Sequence, residues 1–361
     1  MAIEFGDRIR RIPAYPLAAG YDLGEDVAML ASNESCFAPS PQVVQAAQQA
    51  LTAVHRYPDP AYLPLRSALA DRYGIARERI ALGNGSCDIL LSVGEALLEP
   101  GAEIVYAWPA FSVYPHLAAA AGARAIEVPL DGDDRHDLDA MAQEITVATR
   151  LVLICNPNNP TSTAVPLEAV SRFMRQVPRH VCVILDEAYC EFALALGDTY
   201  ASLDLLRRWP NLVLLRTFSK AYGLAGLRAG YALCGSEELR AAVDQMRQPF
   251  YLNMAAQAAA VEALRHQDEV ERRVTHTVAA RMELGDGLRA LGLWVAESDA
   301  NFVWTHLPAD IAEPELVGGL AARGVLVRAG TALGREGSLR VTIGTDTENR
   351  RFLQTMGDLL S

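Results

Sequence analysis

The stretch RLVLICNPNNPTSTAVPLEAVSRFMRQVPRHVCVILD, residues 150–186, contains two short apolar runs with a helical segment between them. The runs at 150–155 and 181–185 are rich in valine, isoleucine and leucine, as is typical of strands buried on both faces. The segment between them, at 165–177, is predicted to be a helix. A strand, a helix and a second strand in this order predict two parallel strands of one sheet, with a helix covering it.

The same alternation of strand and helix continues on either side of this stretch. Further strand-like runs lie at residues 80–82, 103–107, 124–129, 211–216 and 228–233, and residues 88–98 form an amphipathic segment. We therefore predict an α/β fold, in which helices cover a mainly parallel sheet of about seven strands.

The last third of the chain has a different pattern. From about residue 251 it turns helical, and strand-like runs then follow at 302–305, 325–328 and 338–343. We predict a smaller α+β domain over 251–361, a large domain over 36–250, and an N-terminal arm over 1–35. The arm is expected to pack on the small domain or across a partner subunit. A length of 361 residues suits two domains at about 150 residues each.

The composition excludes several classes of partner. Hydrophobic residues make up 51% of the chain, and 32 basic against 44 acidic residues give a net charge of −12. Such an acidic chain without a basic run is a poor binder of nucleic acids and of anionic membranes. The sequence has no uninterrupted apolar run long enough for a spanning helix, and residues 1–13 lack the apolar core of a signal peptide. We expect a cytoplasmic protein without a nucleic-acid or membrane partner.

The cysteines and histidines do not have the spacing of a metal site, since neither a CxxC pair nor HExxH occurs. We expect no metal. We expect the cysteines to be buried or semi-buried free thiols in a reducing compartment, without a chemical role. The cysteines are Cys36, Cys87, Cys155, Cys182, Cys190 and Cys234.

Polar and aromatic residues follow five of the predicted strands, at the edge where ligands collect in such sheets. They lie at 83–86, 108–111, 156–161, 186–189 and 217–220. Two of these segments have features that suit a phosphate: Gly83-Asn84-Gly85-Ser86 opens a helix, and Thr217-Phe218-Ser219-Lys220 precedes Arg228 by eight residues. Taken alone, the first segment is equally well explained as a plain strand-to-helix turn.

Three other features point to a reactive or binding role, and each of them also has a purely structural explanation. Lys220 is the only lysine among the 32 basic residues, and an amine, unlike a guanidinium, can deprotonate and attack a carbonyl. A surface position or an ion pair would also explain it. Asp186 ends an uncharged strand and needs a partner there, either a protonated ring nitrogen or an arginine. The proline-stiffened turn at 156–161 can aim an amide at a ligand oxygen, although turn chemistry explains it as well.

A lysine nucleophile, a phosphate cradle, a buried carboxylate and an amide donor are together what pyridoxal phosphate requires. The lysine holds the aldehyde of this cofactor as an imine. The carboxylate keeps the pyridine nitrogen protonated, so that the ring can accept the electrons of a substrate carbanion.

At this point the sequence resembles the fold-type I pyridoxal phosphate aminotransferases, and most closely the histidinol-phosphate aminotransferase family. The resemblance extends from Ala-Ser-Asn-Glu at 31–34 to Arg-Val-Thr-Ile-Gly at 340–344. Its most specific part is RTFSKAYGLAGLRAG at 216–230, which follows the segments 156–161 and 186–189 in the order that the superfamily has.

The resemblance implies a role for each cofactor-binding residue. Lys220 is the Schiff-base lysine that also moves the substrate proton, and Asp186 pairs with the pyridine nitrogen. Tyr189 and Asn159 bond the ring hydroxyl oxygen, and Phe111 stacks on the ring. The phosphate cradle consists of Gly85, Ser86, Thr217, Ser219 and Arg228. Tyr57 matches a tyrosine that reaches the cofactor of the neighbouring subunit, which implies a homodimer with shared active sites.

Substrate binding is implied for four residues. Arg340 resembles the arginine that clamps the substrate α-carboxylate. Arg328 matches a position that helps bind the substrate phosphate in histidinol-phosphate enzymes. Tyr15 falls near another position that contacts the substrate in this family, and Asn159 is expected to contact the substrate as well.

The sequence departs from the family pattern at three places. Ser162 replaces a usual glycine, and Cys36-Phe37 stand where proline and a small residue are common. Ala329-Gly330 follow Arg328, where an acidic residue often follows, so the third departure touches the substrate pocket.

By this resemblance the reaction is a transamination in two half-reactions, between an amino donor and a 2-oxo acid. The leading prediction is histidinol phosphate with 2-oxoglutarate, giving imidazole acetol phosphate and glutamate in histidine biosynthesis. An aromatic amino acid such as phenylalanine or tyrosine is the alternative donor. An amino-acid-phosphate decarboxylase and a regulator with an aminotransferase-like domain are alternatives from other classes. A dinucleotide oxidoreductase is excluded, because the glycine fingerprint is missing.

Overall fold

The computed structural model describes residues 3–12, 26–193 and 198–361. Within these residues the helices α1 to α13 span, in chain order, Asp7–Arg11, Pro41–Leu51, Leu63–Tyr73, Ser86–Leu97, Tyr114–Ala121, Leu138–Gln143, Leu167–Met174, Leu203–Arg208, Glu237–Gln245, Met254–Arg265, Gln267–Ala290, Glu313–Ala322 and Asp346–Leu360. The strands β1 to β13 span Ala28–Met29, Ile80–Gly83, Glu103–Trp108, Arg124–Pro129, Thr149–Cys155, Cys182–Asp186, Leu212–Thr217, Gly230–Cys234, Trp294–Val295, Phe302–His306, Val325–Leu326, Arg328–Ala329 and Ser338–Thr342.

The largest sheet has seven strands in the order β2-β8-β7-β6-β5-β3-β4. The strands from β7 to β4 pair in parallel, and β8 runs antiparallel to both of its neighbours. All residues of β6 and β7 are buried, which explains why the sequence has continuous apolar runs there. The predicted α/β fold with a mainly parallel sheet is confirmed.

Successive residues of these strands point into two separate cores, one on each face of the sheet. In β3, Val105 and Ala107 belong to a core shared with α2, α3, α7 and α10. Ile104 and Tyr106 belong to a second core, shared with α4, α5 and α9. Because each fully buried aliphatic side chain contributes about 1.5–3 kcal/mol, these two cores fix the sheet that carries the site residues.

A second, antiparallel sheet has four strands in the order β12-β13-β10-β9. Together with the parallel pair β1 and β11, it packs against α11, α12 and α13 in a third core. The predicted strand at 325–328 is therefore wrong in one respect: it is divided into β11 and β12. The chain leaves the ladder with β1 at Val327 and joins β13 at Arg328.

Two predicted helices differ in their ends. The helix predicted at 165–177 is shorter, because it begins after the extended residue Pro166 and ends at Met174. The amphipathic segment at 88–98 belongs to a helix that begins earlier, at Ser86. Gly85, in the left-handed region with φ +83°, leads the chain into its first turn. The predicted boundaries between arm, large domain and small domain stay predictions.

Among the helices of the described residues, none is both long enough and apolar enough to cross a membrane. The same residues contain no group of three histidine, cysteine or acidic side chains placed to hold a metal ion. All six cysteines are free thiols, four of them buried and two half-buried, as the sequence predicts.

Candidate active site

A cavity of about 460 Å³ lies at the carboxyl ends of β6 and β7, where the sequence analysis places the ligand. It brings together residues that are far apart along the chain. The predicted site residues that line it are Ser86, Phe111, Asn159, Asp186, Tyr189, Thr217, Ser219, Lys220, Arg228, Arg328 and Arg340. Gly85 lies next to them, at the start of α4.

The amine of Lys220 is held at the edge of this cavity by backbone oxygens. Its Nζ donates to the carbonyl of Asn33 at 2.9 Å and to that of Ser32 at 3.3 Å. Burial lowers the pKa of Lys220 to about 7, and the guanidinium of Arg340 acts in the same direction. A large fraction of this amine is therefore neutral, and so nucleophilic, near neutral pH.

This pKa predicts how cofactor-free protein reacts with an amine-specific acylating reagent. Since the chain has one lysine, such a reagent gives a single side-chain amine product. We expect the labelling rate of Lys220 to level off at about pH 8, because the amine loses its proton around pH 7 rather than 10.5. Peptide mass spectrometry over a pH series measures this, with the N-terminal amine as internal reference. A rate that still rises roughly tenfold per pH unit above pH 8 would contradict the lowered pKa.

The carboxylate of Asp186 is buried at the end of β6. One of its oxygens accepts a hydrogen bond from the Tyr114 hydroxyl at 3.0 Å, and the other from the backbone N–H of Ala188 at 3.3 Å. Burial raises the pKa of Asp186 to about 6, against the lowering effect of these hydrogen bonds. No lysine, arginine or histidine of the described residues forms an ion pair with it; the nearby Arg216 pairs with Glu187 at 2.8 Å. A protonated ring nitrogen is therefore the partner that this carboxylate fits.

The hydroxyl of Tyr189 is oriented by Asn33, which lies in the segment between β1 and α2. It accepts a hydrogen bond from Asn33 Nδ2 at 3.0 Å, which leaves its own proton available for a ligand oxygen. Asn33 is held in turn by Thr342 of β13, through its backbone N–H at 2.9 Å and its Oδ1 at 3.1 Å. Burial raises the pKa of Tyr189, so the phenol stays protonated at neutral pH.

The guanidinium of Arg340 binds two segments that border the cavity, one after β5 and one after β1. It donates to Asn159 Oδ1 at 2.6 Å and to the carbonyl of Ala31 at 2.6 Å. The amide of Asn159 is thereby oriented with its oxygen on the arginine, so that its Nδ2 can donate to a ligand.

Hydroxyls, a guanidinium and a helix start form the predicted phosphate cradle. Thr217 donates to Ser219 Oγ at 2.9 Å, and Arg228 reaches the same oxygen at 3.4 Å. Gly85 lies against the Arg228 guanidinium so closely that a Cβ there would overlap it. Ser86 begins α4, whose first N–H groups have no partner within the helix and favour an anion.

The remaining predicted residues are placed as follows. Phe111 lines the cavity, with its ring edge-on to Tyr114 at 5.8 Å between centroids. Tyr57 is outside the cavity: it is 79% exposed and stacks on Phe250 at 4.4 Å. Its predicted reach into a neighbouring subunit stays a prediction. Tyr15 lies outside the described residues.

Two residues that the sequence analysis did not assign complete this arrangement, Asn33 and Tyr114. Asn33 lies in the segment 31–34 that carries the start of the resemblance, which was the available signal. Tyr114 had no signal of its own, because the Asp186 that it contacts is 72 residues away in the sequence.

The donor set fits pyridoxal phosphate at each of its polar groups. An unpaired buried carboxylate suits the ring nitrogen, a phenol and an amide suit the ring hydroxyl oxygen, and the cradle suits the phosphate dianion. Fold and site thus define a fold-type I pyridoxal phosphate enzyme.

The chain belongs to the aminotransferase class I and II family, which it matches over residues 25–356. An aromatic amino acid aminotransferase of Thermobifida fusca is 44% identical over 328 residues, covering 90% of this chain and 88% of the relative. A histidinol-phosphate aminotransferase of Moorella thermoacetica is 42% identical over 337 residues, covering 93% and 86%. The crystal structure of histidinol-phosphate aminotransferase from Sinorhizobium meliloti with pyridoxal-5'-phosphate has a TM-score of 0.90 at 28% identity, covering 100% of this chain and 98% of that one.

Proposed function

We propose that this pyridoxal phosphate aminotransferase transfers the amino group of histidinol phosphate to 2-oxoglutarate, giving imidazole acetol phosphate and glutamate. The observation that carries the proposal is a pair of arginines. Arg328 and Arg340 are directly opposite each other on β12 and β13, are 8% and 6% exposed, and both line the cavity. Directly opposite residues share one face of a sheet. Two guanidiniums suit a phosphate dianion in one half-reaction and a dicarboxylate in the other.

The cofactor, when bound, supplies an aldehyde that takes the amino group and a ring that accepts electrons. Lys220 would hold the cofactor covalently through this aldehyde, and its amine would move the proton between the substrate α-carbon and the cofactor carbon C4′. A pKa near 7 suits an amine that must both take up and release a proton at neutral pH.

The other residues of the cavity bind and orient. Asp186 holds the proton on the pyridine nitrogen, and Tyr189 and Asn159 donate to the ring hydroxyl oxygen. Phe111 stacks on the ring. The phosphate is held by Gly85, Ser86, Thr217, Ser219 and Arg228. These roles rest on the contacts described above together with the resemblance.

We propose a homodimer with shared active sites as the working form. Tyr57 and Phe250 form an exposed stacked pair outside the cavity of their own chain, 79% and 37% exposed. Exposed aromatic rings are typical of an interface between chains. Tyr57 would then reach the cofactor phosphate of the neighbouring subunit.

An aromatic amino acid is the second candidate for the amino donor. The name of the Thermobifida fusca relative favours it. An apolar side chain of the cavity, Leu333, also suits a phenyl ring. Histidinol phosphate and phenylalanine share a ring attached through one methylene group to the carbon that bears the amine, so the same cavity wall would contact either ring. The relatives from Thermobifida fusca and Moorella thermoacetica are both named as aminotransferases, which favours transamination over decarboxylation.

The experiment compares the rates of the amino-donor half-reaction with histidinol phosphate, phenylalanine and tyrosine. It is carried out with the wild type and with Arg328→Gln. We expect histidinol phosphate to be fastest. Its kcat/KM should fall about 10- to 100-fold in the variant, because its phosphate loses a charged hydrogen-bond partner. Arg207→Gln, which changes an exposed arginine paired with Asp204, is the control and should leave the rates unchanged. A faster reaction of phenylalanine would establish the second candidate, and unchanged turnover in Arg328→Gln would contradict the phosphate assignment.

A further inference from the structure

The turn at residues 330–337 joins the two strands that carry Arg328 and Arg340, and it forms one wall of the cavity. Leu333 is the residue of this turn that lines the cavity. The backbone of the turn is closed on itself: the carbonyl of Gly330 accepts from the N–H of Leu333 at 2.8 Å and from that of Arg335 at 2.9 Å. The wall is thus a hydrogen-bonded unit rather than an open loop.

Two buried carboxylates hold this turn, one through its backbone and one through the side chain of Arg335. Glu313 accepts from the backbone N–H groups of Thr331 at 3.0 Å, Gly337 at 2.7 Å and Ser338 at 3.2 Å. Asp134 accepts a hydrogen bond from the guanidinium of Arg335. Glu313 and Asp134 are 4% and 2% exposed, so neither carboxyl group is loosely solvated.

The carboxylate of Asp134 has two further hydrogen-bond partners, both in β10. Trp304 Nε1 donates to it at 3.0 Å, and His306 Nε2 lies at 2.7 Å from the same oxygen. Its backbone carbonyl accepts from the hydroxyls of Thr161 at 2.9 Å and Thr163 at 2.6 Å, which belong to the segment after β5. One aspartate therefore connects the turn to β10 and to the polar edge of the large sheet.

Two tryptophans enclose the part of the turn next to Leu333. Leu333 packs with the fully buried Trp304, whose indole N–H is bound to Asp134. On the other side, Gly334 has φ +96° and lies against Trp108, where a Cβ would come within 2.6 Å of the indole ring. Close packing of this kind restricts the positions open to Leu333.

We propose that the Asp134–Arg335 pair fixes Leu333 in the cavity wall and so sets the size of the amino-donor ring that the site accepts. The inference rests on the proposed function for the nature of the donor, a ring on a methylene group. Leu333 contacts the ring, and Asp134 and Arg335 are positioning residues that act through the turn. A rigid wall discriminates between rings by volume, whereas a wall that yields admits the larger ring.

The test uses the enzyme with its cofactor bound and two acids that lack an amino group, 3-phenylpropionate and indole-3-propionate. Their dissociation constants are read from the change in cofactor absorbance. We expect the wild type to prefer the smaller ring. Leu333→Ala should shift the ratio of the two constants about 10-fold towards indole, because it opens space for the second ring. Arg335→Gln should shift the ratio in the same direction, and Arg335→Lys, which keeps the charge, should restore most of the preference.

Arg135→Gln is the matched control, since Arg135 adjoins Asp134 but pairs with Glu297 at 2.5 Å. It should keep the wild-type ratio. The proposal is overturned if Leu333→Ala and Arg335→Gln both keep that ratio within about twofold while the cofactor binds normally. If Arg335→Gln does not bind the cofactor, Leu333→Ala and Arg335→Lys decide. Because the acids do not react, a shifted ratio in an enzyme that transaminates neither proposed donor would refute only the proposed function.

Discussion

Lys220→Ala protein is expected to lose at least a thousandfold in the rate of amino-group transfer. In the proposed mechanism Lys220 would both hold the cofactor through its aldehyde and move the substrate proton, and general acid–base catalysis by itself contributes about 10²–10⁴-fold. No other lysine in the chain can replace it. Stopped-flow absorbance of the donor half-reaction, at saturating cofactor, measures the loss.

Two further measurements separate this chemistry from a loss of structure. Lys220→Arg keeps the positive charge but not the amine, and should be as slow as Lys220→Ala, because a guanidinium does not deprotonate. A small added amine should restore part of the rate in Lys220→Ala and none in the wild type. Transfer by Lys220→Ala within tenfold of the wild-type rate would contradict the role given to this residue.

Asp186→Asn is expected to lower kcat about a thousandfold and to weaken cofactor binding, with a smaller effect on the KM of the amino donor. The amide has no charge with which to hold a proton on the ring nitrogen, so the ring accepts electrons less readily. Asp186→Glu keeps the charge and should retain more activity than Asp186→Asn. Steady-state kinetics and a cofactor titration measure the two effects. Equal activity of Asp186→Asn and wild type would contradict the assignment.

The raised pKa of Asp186 also implies that the stability of the cofactor-free protein depends on pH. Burial raises the pKa of Asp186 from 3.8 to about 6 in the folded protein. Between these values the folded state binds more protons than the unfolded state at this site, so its contribution to the free energy of unfolding falls as the pH rises from about 4 to 6. Asp186→Asn should remove this contribution. Urea unfolding of wild type and variant at pH 4 and pH 6 measures this change in the free energy of unfolding. If the variant showed the same pH dependence as the wild type, the assignment would be contradicted.

The parts of this site that could be predicted from sequence lie within single segments. Thr217 ends β7, Ser219 and Lys220 follow it closely, and Asp186 ends β6. The rule that ligands bind at the carboxyl ends of parallel strands therefore places these residues together. The continuous apolar runs of the same strands predict the sheet. Here local pattern and tertiary structure agree, because strands buried on both faces need apolar residues at every position.

The parts that could not be predicted depend on contacts between distant segments. Asn33 reaches Tyr189 across 156 positions of sequence, and Arg335 reaches Asp134 across 201. A single asparagine or arginine carries no periodic signal, and its partner is decided only when the two sheets pack. The division of the 325–328 run had a similar cause, since pairing with β1 in one sheet and with β13 in the other separates its ends.

The central claim, that Lys220 binds pyridoxal phosphate covalently, is tested most directly by borohydride reduction of the cofactor-loaded protein, followed by peptide mass spectrometry. We predict that the reduced cofactor is found on the peptide that contains Lys220, in an amount close to one per chain. Protein that takes up no cofactor, or an adduct confined to the N-terminal amine, would contradict the account.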